Sequence, residues 1–343
     1  MTSCFATLIL SLLAVATLPA LAHGDLKQEL ADRAAFAQFN KMSLSHCADK
    51  MTADRIHEKA ARRRVSLFQD IHKRRLEDRA TNNPLDIDHS ANNLGFSLKT
   101  PEPIILEEFS AVGRNGCVIA PESTEGPFYV EGEYVRPTLR EDQTGVPLYI
   151  DLQVFDSSTC KPVTDIFVEL WNCNATGVYG GIEFDWDPSN VRRTWLRGLQ
   201  ETKQDGSVSF STIFPGHYEG RTSHVHVMTH VNATALPNGT VYDDMATHAG
   251  QFFFDQNLID TIEALYPYNE NKAPLLRNAN DSFLLSEAYT SDPFFQWAWL
   301  DSEFKSVGLL AWIAFGINMT ERREIHVAET LLARGAQPTG VVM

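Results

Sequence analysis

The sequence has little glycine and proline, with 20 and 16 residues among 343. This excludes a collagen-like or low-complexity chain, which needs far more of both. Basic residues are also few, because 29 Lys and Arg stand against 44 Asp and Glu for a net charge of −15. Nucleic-acid binding depends on clusters of Lys and Arg, so we expect no nucleic-acid partner. With 43% hydrophobic residues, the chain can bury a sizeable core in one large domain plus an appendage.

Long apolar runs are absent except at the N-terminus. Residues 1–22 contain an apolar run of roughly a dozen residues, shorter than the roughly 20 that a spanning helix needs. The run ends in Ala20-Leu21-Ala22, a small-x-small pattern that signal peptidase accepts. The sequence therefore predicts a signal peptide over 1–22, no membrane span and a secreted, extracellular protein.

Cysteine is scarce as well, with five residues, of which Cys4 leaves with the signal peptide. An even number remains in a compartment where disulfides persist, namely Cys47, Cys117, Cys160 and Cys173. Two bridges are compatible with this set, in any of three connectivities. A Cys160–Cys173 bridge is the least favoured, because residues 163–171 predict one strand of roughly 25 Å that would hold the two thiols apart.

Asn-x-Ser/Thr sequons are frequent, which suits a chain that passes through a glycosylating pathway. They occur at Asn174, Asn232, Asn238, Asn280 and Asn318. We expect glycans on some of them. Asn174 is expected to be unmodified, because it lies close in sequence to the candidate metal ligands below.

The N-terminal part of the mature chain differs in composition from the rest. Residues 23–80 are rich in Ala, Leu, Glu, Lys and Arg, and predict a basic arm of amphipathic helices outside the catalytic body. Its triplets Arg62-Arg63-Arg64 and Lys73-Arg74-Arg75 are predicted to lie on solvated helix faces, with processing sites or nuclear-type signals as alternatives. The arm could serve as a homodimer contact, a tether or a removable pro-segment. The polar residues 81–100 predict a linker.

Residues 101–325 consist of short runs rich in Val, Ile, Phe, Tyr and Trp, broken by turn residues. This pattern predicts a mainly β fold of the β-sandwich class. A helix is expected near 257–265, and 326–343 form a C-terminal tail. The clearest predicted strands are 147–155, 163–171, 207–214 and 223–230.

The last of these strands carries alternating histidines. Residues i and i+2 of a strand share one face at roughly 6 to 7 Å, so His224 and His226 can reach one ion. The pair alone would equally suit hydrogen-bonded core or surface residues. His230 lies roughly 13 Å beyond His226, too far to share the ion. His217 is predicted to be a turn residue at the rim.

The residues that accompany the histidines are tyrosines. Tyr218 follows a Pro-Gly turn, and Tyr179 ends the segment that starts at Trp171. No Asp or Glu in the stretch 215–226 is spaced to complete a site of two histidines and one carboxylate, and no free Cys pair suggests a zinc ribbon.

In these segments the sequence resembles the intradiol ring-cleavage dioxygenases, in particular their secreted fungal branch. The family's W-x-C/A-x-x-x-G-x-Y, L-R-G-x-Q, F-x-T-x-x-P-G-x-Y, R-x-x-H-x-H and T-x-G-P-F/Y-Y patterns all occur, and the likeness spans roughly residues 105–320. In the same order as the patterns, the matching segments are Trp171–Tyr179, Leu196–Gln200, Phe210–Tyr218, Arg221–His226 and Thr124–Tyr129.

The resemblance implies an enzyme that uses O2 to cleave a small catechol-type diol between its two hydroxyl-bearing carbons. It implies one non-haem Fe(III) per chain, held by Tyr179, Tyr218, His224 and His226, with Tyr218 leaving the metal when substrate binds. It further implies that Arg221 faces the ring and stabilises developing negative charge. The other implied pocket residues are Thr124, Gly126, Pro127 and Gln251.

The chemistry of the donors agrees with this ligand set. Fe(III) is a hard, highly charged acid, so its charge lets tyrosines bind as phenolates far below their free pKa of about 10. Two other classes stay open at this stage. One is a secreted β-sandwich binding module without reactive metal. The other is a copper or zinc enzyme that uses His224 and His226, with His23 as a third ligand at the processed N-terminus.

Overall fold

The computed structural model describes residues 44–80, 117–118, 126–243, 245–300 and 308–331. The predicted signal peptide, the linker over 81–100 and residues 332–343 of the tail lie outside these ranges. Within them, no helix combines the length and the apolar character that crossing a membrane requires.

The described residues form four α-helices, of which α2 is long, and many short strands. The helices are α1 Ala48–Ala53, α2 Ile56–Ala80, α3 Gln256–Glu263 and α4 Ser282–Thr290. The strands up to the histidine strand are β1 Cys117–Val118, β2 Val130–Glu131, β3 Pro147–Asp156, β4 Phe167–Trp171, β5 Arg197–Glu201, β6 Ser207–Ile213 and β7 His224–His230. The strands that follow are β8 Thr234–Ala235, β9 Val241–Tyr242, β10 Met245–Ala246, β11 His248–Phe253, β12 Gln296–Trp299, β13 Leu309–Ile317, β14 Arg323–Glu324 and β15 Glu329–Thr330.

Two sheets build the sandwich, which confirms the predicted mainly β class. In the first sheet β13 lies beside β3, β3 pairs with β6, and β1 and β12 pair with different halves of β13. In the second sheet the strand order is β11-β7-β4-β5. The histidine strand β7 is therefore an inner strand, with hydrogen-bonded neighbours on both sides.

The core fills the space between the two sheets, and side-chain alternation explains which residues enter it. On β3 the residues Leu148, Ile150, Leu152 and Val154 point into the core, and on β7 Val225 and Val227 do so. The intervening residues of β7, His224 and His226 among them, therefore lie on the outer face of the second sheet. This alternation places the candidate metal ligands on one face of β7 and the core residues on the other.

Three of the predicted strands match the structure within one residue at each end. The fourth prediction, 163–171, is wrong at its start, because β4 begins at Phe167. Asp165 has φ of 61°, a left-handed conformation that breaks the extended run. A turn containing Gly206, with φ of 74°, precedes β6, but β5 and β6 belong to different sheets and form no hairpin.

The helical arm is part of the folded body in the residues described. Ala61, Val65, Phe68 and Ile71 of α2 pack against Leu300, Leu310 and Trp312 on the outer face of the first sheet. The apolar stripe of α2 is thus buried against the same chain. A homodimer through the arm stays a prediction.

The triplet Arg62-Arg63-Arg64 of α2 contradicts the predicted solvated helix face at two of its three residues, whereas the side chains of Lys73-Arg74-Arg75 lie outside the described residues. Only Arg62 is exposed, and it pairs with Glu58 one turn earlier. Arg63 and Arg64 turn inward, and their Nε atoms donate to the two carboxylate oxygens of Asp151 at 2.9 and 3.1 Å. Asp151 is fully buried on β3. The triplet therefore fastens α2 to the sheet.

Replacing Asp151 with alanine is expected to lower the free energy of unfolding by about 3–5 kcal/mol, because it leaves the buried Arg64 without its counter-ion. Chemical denaturation measures this directly. The matched control is Asp260→Ala, which removes the exposed partner of Arg277 and is expected to cost less than ~1 kcal/mol. Equal losses in the two variants would contradict the assigned role.

A disulfide joins Cys47, just before α1 in the arm, to Cys160 in the turn that follows β3. Cys173 forms no disulfide and is a buried free thiol, so the prediction of a second bridge is wrong for this residue. Its Sγ lies 3.4 Å from the carbonyl oxygen of Gly216 instead. The side chain of Cys117 lies outside the described residues.

Candidate active site

The outer face of the second sheet carries a row of site residues across neighbouring strands. Trp171 on β4 and Gln251 on β11 are the register partners of His226 on β7. The Trp171 ring stacks on the His226 imidazole with centroids 4.7 Å apart and an interplanar angle of 6°. Because the indole covers one face of the ring, the orientation of His226 is fixed by packing.

Two loops bring the tyrosines to this face, and glycines let the loops pack backbone to backbone. Gly177 has φ of 83°, and a Cβ there would lie 2.2 Å from the carbonyl oxygen of His217. A Cβ on Gly216 would lie 2.6 Å from the carbonyl oxygen of Asn174. Only glycine fits such close approaches. These two glycines therefore allow the loops that carry Tyr179 and Tyr218 to pack against each other, which brings the two tyrosines together.

The four predicted metal ligands converge. The Nε2 atoms of His224 and His226 are 3.1 Å apart, the Tyr179 hydroxyl is 3.1 Å from His226 Nε2, and the Tyr218 hydroxyl is 3.4 Å from His224 Nε2. In the described ranges, no group of three His, Cys, Asp or Glu with metal-ligand spacing includes the histidine pair. The group that has this spacing contains Cys47 and Cys160, whose thiols form the disulfide. The residues that complete the histidine pair are thus the two tyrosines.

The protonation of these donors suits a bound cation. His224 Nδ1 donates to the carbonyl oxygen of Thr222 at 2.6 Å, which leaves a lone pair on Nε2. Burial, with Arg221 adding to it, lowers the pKa of His224 well below its usual range, so the ring is neutral. Burial raises the pKa of Tyr179 and of Tyr218. Phenolates at this place therefore need a strong positive charge, and a hard trivalent metal fits the donor set.

An aromatic wall stands beside the two tyrosines. Phe128 stacks on Tyr179 with centroids 4.6 Å apart and meets the Tyr218 ring edge-on at 5.4 Å. Gly126, with φ of 72°, and Pro127 lead into it and are partly buried. Thr124 lies outside the described residues.

Arg221 is buried and held from three sides. Its Nε donates to Asp281 at 2.9 Å, its Nη2 donates to Gln251, and its guanidinium carbon lies 4.5 Å from the centroid of Phe283. The other oxygen of Asp281 caps α4 by accepting from the backbone N–H groups of residues 283 and 284. The predicted pocket glutamine, Gln251, is therefore a partner of Arg221. Its own Nε2 is buried and has no acceptor among the described residues.

The structure corrects the predicted position of His217 and identifies the partners of His230. His217, predicted at the rim, is buried between Glu263 and the carbonyl oxygen of Ala273, at 2.8 and 2.9 Å, because α3 covers the turn. His230 lies apart from the four ligands, as predicted, and contacts Glu169 at 2.8 Å and Asp243 at 3.3 Å.

His230 makes stability depend on pH. Burial acts to lower the pKa of His230, but the hydrogen bonds to Asp243 and Glu169 outweigh it and raise the pKa to about 9. The folded pKa exceeds the unfolded value of about 6.5, so the stabilisation is full below pH ~6.5 and is lost as the pH rises through about 9.

We expect the free energy of unfolding to fall by on the order of 2–3 kcal/mol over that window through this group. His230→Gln should flatten the profile. Urea titrations of both proteins from pH 6 to pH 9.5 test this. Parallel losses in wild type and variant would speak against it.

Sequence reasoning assigned no role to three residues of the site. Trp171 and Arg197 lie in motifs quoted above, but only the sheet register shows that Trp171 lies beside His226 and Arg197 beside Trp171 in the same row. Asp281 lies 60 residues from Arg221, and the one signal for it is its place before the helical run of α4.

Comparison with known proteins agrees with the geometry. A family model described as a dioxygenase matches residues 124–236. An intradiol ring-cleavage dioxygenase from Tetranychus urticae is 30% identical over 60% of this chain and 98% of that chain, with a TM-score of 0.49. The dioxygenase domain of a dioxygenase carbohydrate-binding protein fusion from Streptomyces sp. SirexAA-E is 24% identical over 60% and 97% of the two chains, with a TM-score of 0.37.

Catechol 1,2-dioxygenase from Pseudomonas arvilla C-1 is 18% identical over 56% of this chain and 60% of that chain, with a TM-score of 0.35. Among curated proteins, no sequence matches the chain. Placement in the fungal branch stays a prediction. The identity across nearly the whole length of the Tetranychus protein, together with the family model, shows that the chain belongs to the intradiol ring-cleavage dioxygenases.

Proposed function

We propose that this enzyme is an extracellular dioxygenase that uses Fe(III) and O2 to cleave catechol-type diols between their two hydroxyl-bearing carbons, giving muconate-type diacids. Intradiol dioxygenases use non-haem Fe(III). The observation that carries the proposal is the convergence of two phenol oxygens and two imidazole nitrogens within 3.1 to 3.4 Å of their neighbours.

Tyr179, Tyr218, His224 and His226 would hold the iron. Bound there, Fe(III) would supply the positive charge that binds a catechol as its dianion and draws electron density from the ring. The tyrosines differ in burial, since Tyr179 is 1% exposed and Tyr218 is partly exposed. The greater exposure of Tyr218 supports the role that the family resemblance implies for it, namely to leave the metal position and accept a hydroxyl proton of the substrate.

Arg221 supplies a fixed positive charge in a water-poor environment. Its ion pair with Asp281 and its bond to Gln251 hold the guanidinium in place before substrate arrives. A preorganised cation of this kind stabilises negative charge that develops on the ring and on reduced oxygen. The amide nitrogen of Gln251, which has no acceptor in the part of the chain that the structure describes, is a donor that a substrate oxygen can use.

The wall formed by Phe128 suits a flat aromatic substrate, because its ring stacks on one ligand and meets the other edge-on. Secretion is supported by the disulfide and by the sequons at Asn232, Asn238 and Asn280, whose side chains are exposed. Asn174 is instead partly buried, and its Nδ2, the atom to which a glycan would attach, donates to Gln143 at 3.3 Å, in keeping with the expectation that it is unmodified.

The test is oxygen uptake by iron-loaded protein with catechol, hydroxyquinol and protocatechuate, with the products identified. We expect a coloured ferric protein, one O2 consumed per diol and a muconate-type diacid. A yellow semialdehyde would show cleavage outside the diol. A colourless protein that binds no iron would favour a binding module, and one that retains copper or zinc would favour the alternative metal site.

A further inference from the structure

Arg197 lies at one end of the row of site residues on the second sheet. It is the register partner of Trp171 on β4, and Trp171 is in turn the partner of His226 on β7. The side chain of Arg197 is 3% exposed. A buried arginine at this place is costly unless it is fully paired, so its partners indicate what it does.

The guanidinium of Arg197 spans two segments that enclose Tyr179. Its Nε donates to the carbonyl oxygen of Gly180, the residue after Tyr179, at 2.6 Å. Its Nη2 donates to the carbonyl oxygen of Phe128, the residue stacked on the Tyr179 ring, also at 2.6 Å. The guanidinium carbon lies 5.7 Å from the centroid of that ring. One side chain thus fastens both the backbone beside Tyr179 and the ring that packs on it.

A buried acidic group holds the far side of the guanidinium. Arg197 Nη1 donates to Glu133 at 3.1 Å, and Glu133 is 1% exposed. Glu133 interacts with Glu169, which binds His230. The contacts from Glu133 through Glu169 to His230 include none of the four metal ligands. They therefore hold Arg197 without taking part in substrate binding.

We propose that Arg197 is a positioning residue that fixes the ring of Tyr179, and so the direction in which its oxygen points at the metal position. The proposal rests on the proposed function, because it takes Tyr179 as an iron ligand. It goes beyond that function in separating the two tyrosines. Arg197 binds directly to the residue that follows Tyr179, whereas its link to Tyr218 runs only through the edge contact of the Phe128 ring.

Holding both the Gly180 and the Phe128 carbonyl oxygens requires the planar guanidinium of arginine. Arginine can reach three acceptors in different directions from one rigid group, whereas the single ammonium of lysine cannot span the same carbonyls. Arg197→Lys therefore keeps the positive charge and loses the geometry. If charge alone mattered, lysine would rescue the function.

The experiment compares iron-loaded wild type, Arg197→Lys and Arg136→Lys. Arg136 is a matched control, because it also lies 5.7 Å from a tyrosine ring, that of Tyr134, and donates to the backbone oxygens of residues 194 and 197. The main readout is the visible absorption band that tyrosinate ligands give to Fe(III). Steady-state kcat and KM are measured beside it.

We expect Arg197→Lys to shift and weaken the band and to lower kcat by ~10-fold or more, as small misplacements of reacting groups do, with KM changed far less. Arg136→Lys should leave the band and kcat as in wild type. An unchanged band in folded Arg197→Lys, or the same shift in both variants, would overturn the proposal. A colourless wild type would instead refute the proposed function.

A second variant covers the case in which Arg197→Lys does not fold. Phe128→Leu keeps the carbonyl that Arg197 binds but removes the ring that presses on Tyr179. The proposal requires this stack to orient Tyr179, so the band is expected to shift in Phe128→Leu as well. A band identical to wild type would overturn the proposal.

Discussion

Replacing Tyr179 with phenylalanine is expected to strip the enzyme of its iron, its colour and its activity while leaving the fold intact. The change removes one anionic oxygen from a donor set that has two, and the remaining histidines are a poor set for a hard ferric ion. Changes in outer-shell partners alone cost 10–100-fold, so loss of a ligand should lower kcat/KM by more than ~100-fold.

The fold should survive because the ring itself stays. Phenylalanine keeps the stack on Phe128 and the place of the ring among the buried residues around Trp171. Elemental analysis, the visible spectrum, oxygen uptake and the unfolding midpoint are measured together. Tyr242→Phe is the control, because Tyr242 is 53% exposed and stands among none of the site contacts.

The outcome separates metal classes as well. A copper or zinc site built on the histidine pair would retain its metal in Tyr179→Phe. Full metal content and unchanged activity in this variant would contradict the assignment of Tyr179 as a ligand. Loss of iron in Tyr242→Phe too would point to a general defect in loading.

Features set by short spacing were predictable from the sequence. The alternation of His224 and His226 fixes a shared strand face, whereas the approach of Tyr179 to His226, across 47 residues, was expected only from the family resemblance. The sandwich followed from strand texture, and the core alternation of β3 and β7 bears it out. Local rules suffice where the partners are few residues apart.

Features that depend on distant partners could not be predicted in this way. The buried pairing of Arg64 joins residues 87 positions apart, so a basic helix face that looks solvated by its charge is in fact an internal contact. His217 meets Glu263 across 46 residues, and nothing in the Pro-Gly turn signals that α3 will cover it. In both cases tertiary packing overrides the usual exposure of charged residues.

Arg221→Lys is expected to lower kcat by about 100- to 1000-fold, the effect of removing one preorganised donor from a charge-stabilising site. Iron content and colour should persist, because Arg221 is not a ligand. KM should change little, since the guanidinium acts mainly on the charge that develops after the catechol has bound. Lysine keeps the charge opposite Asp281 but cannot hold Asp281 and Gln251 at once.

Asp281→Asn tests the role of Arg221 by changing its ion-pair partner instead of the arginine. The amide can still accept at one position, so the cap of α4 is largely kept, but the anion opposite Arg221 is lost. The guanidinium is then free to turn toward other acceptors, and we expect kcat to fall by at least ~10-fold without loss of iron.

Arg277→Lys is the control for both, because its ion pair with Asp260 is exposed and lies on a neighbouring segment. It should behave as wild type. If Asp281→Asn lowered stability but left kcat unchanged, Asp281 would serve the helix alone. If Arg221→Lys kept full kcat, the fixed guanidinium of Arg221 would not be the group that stabilises the developing charge.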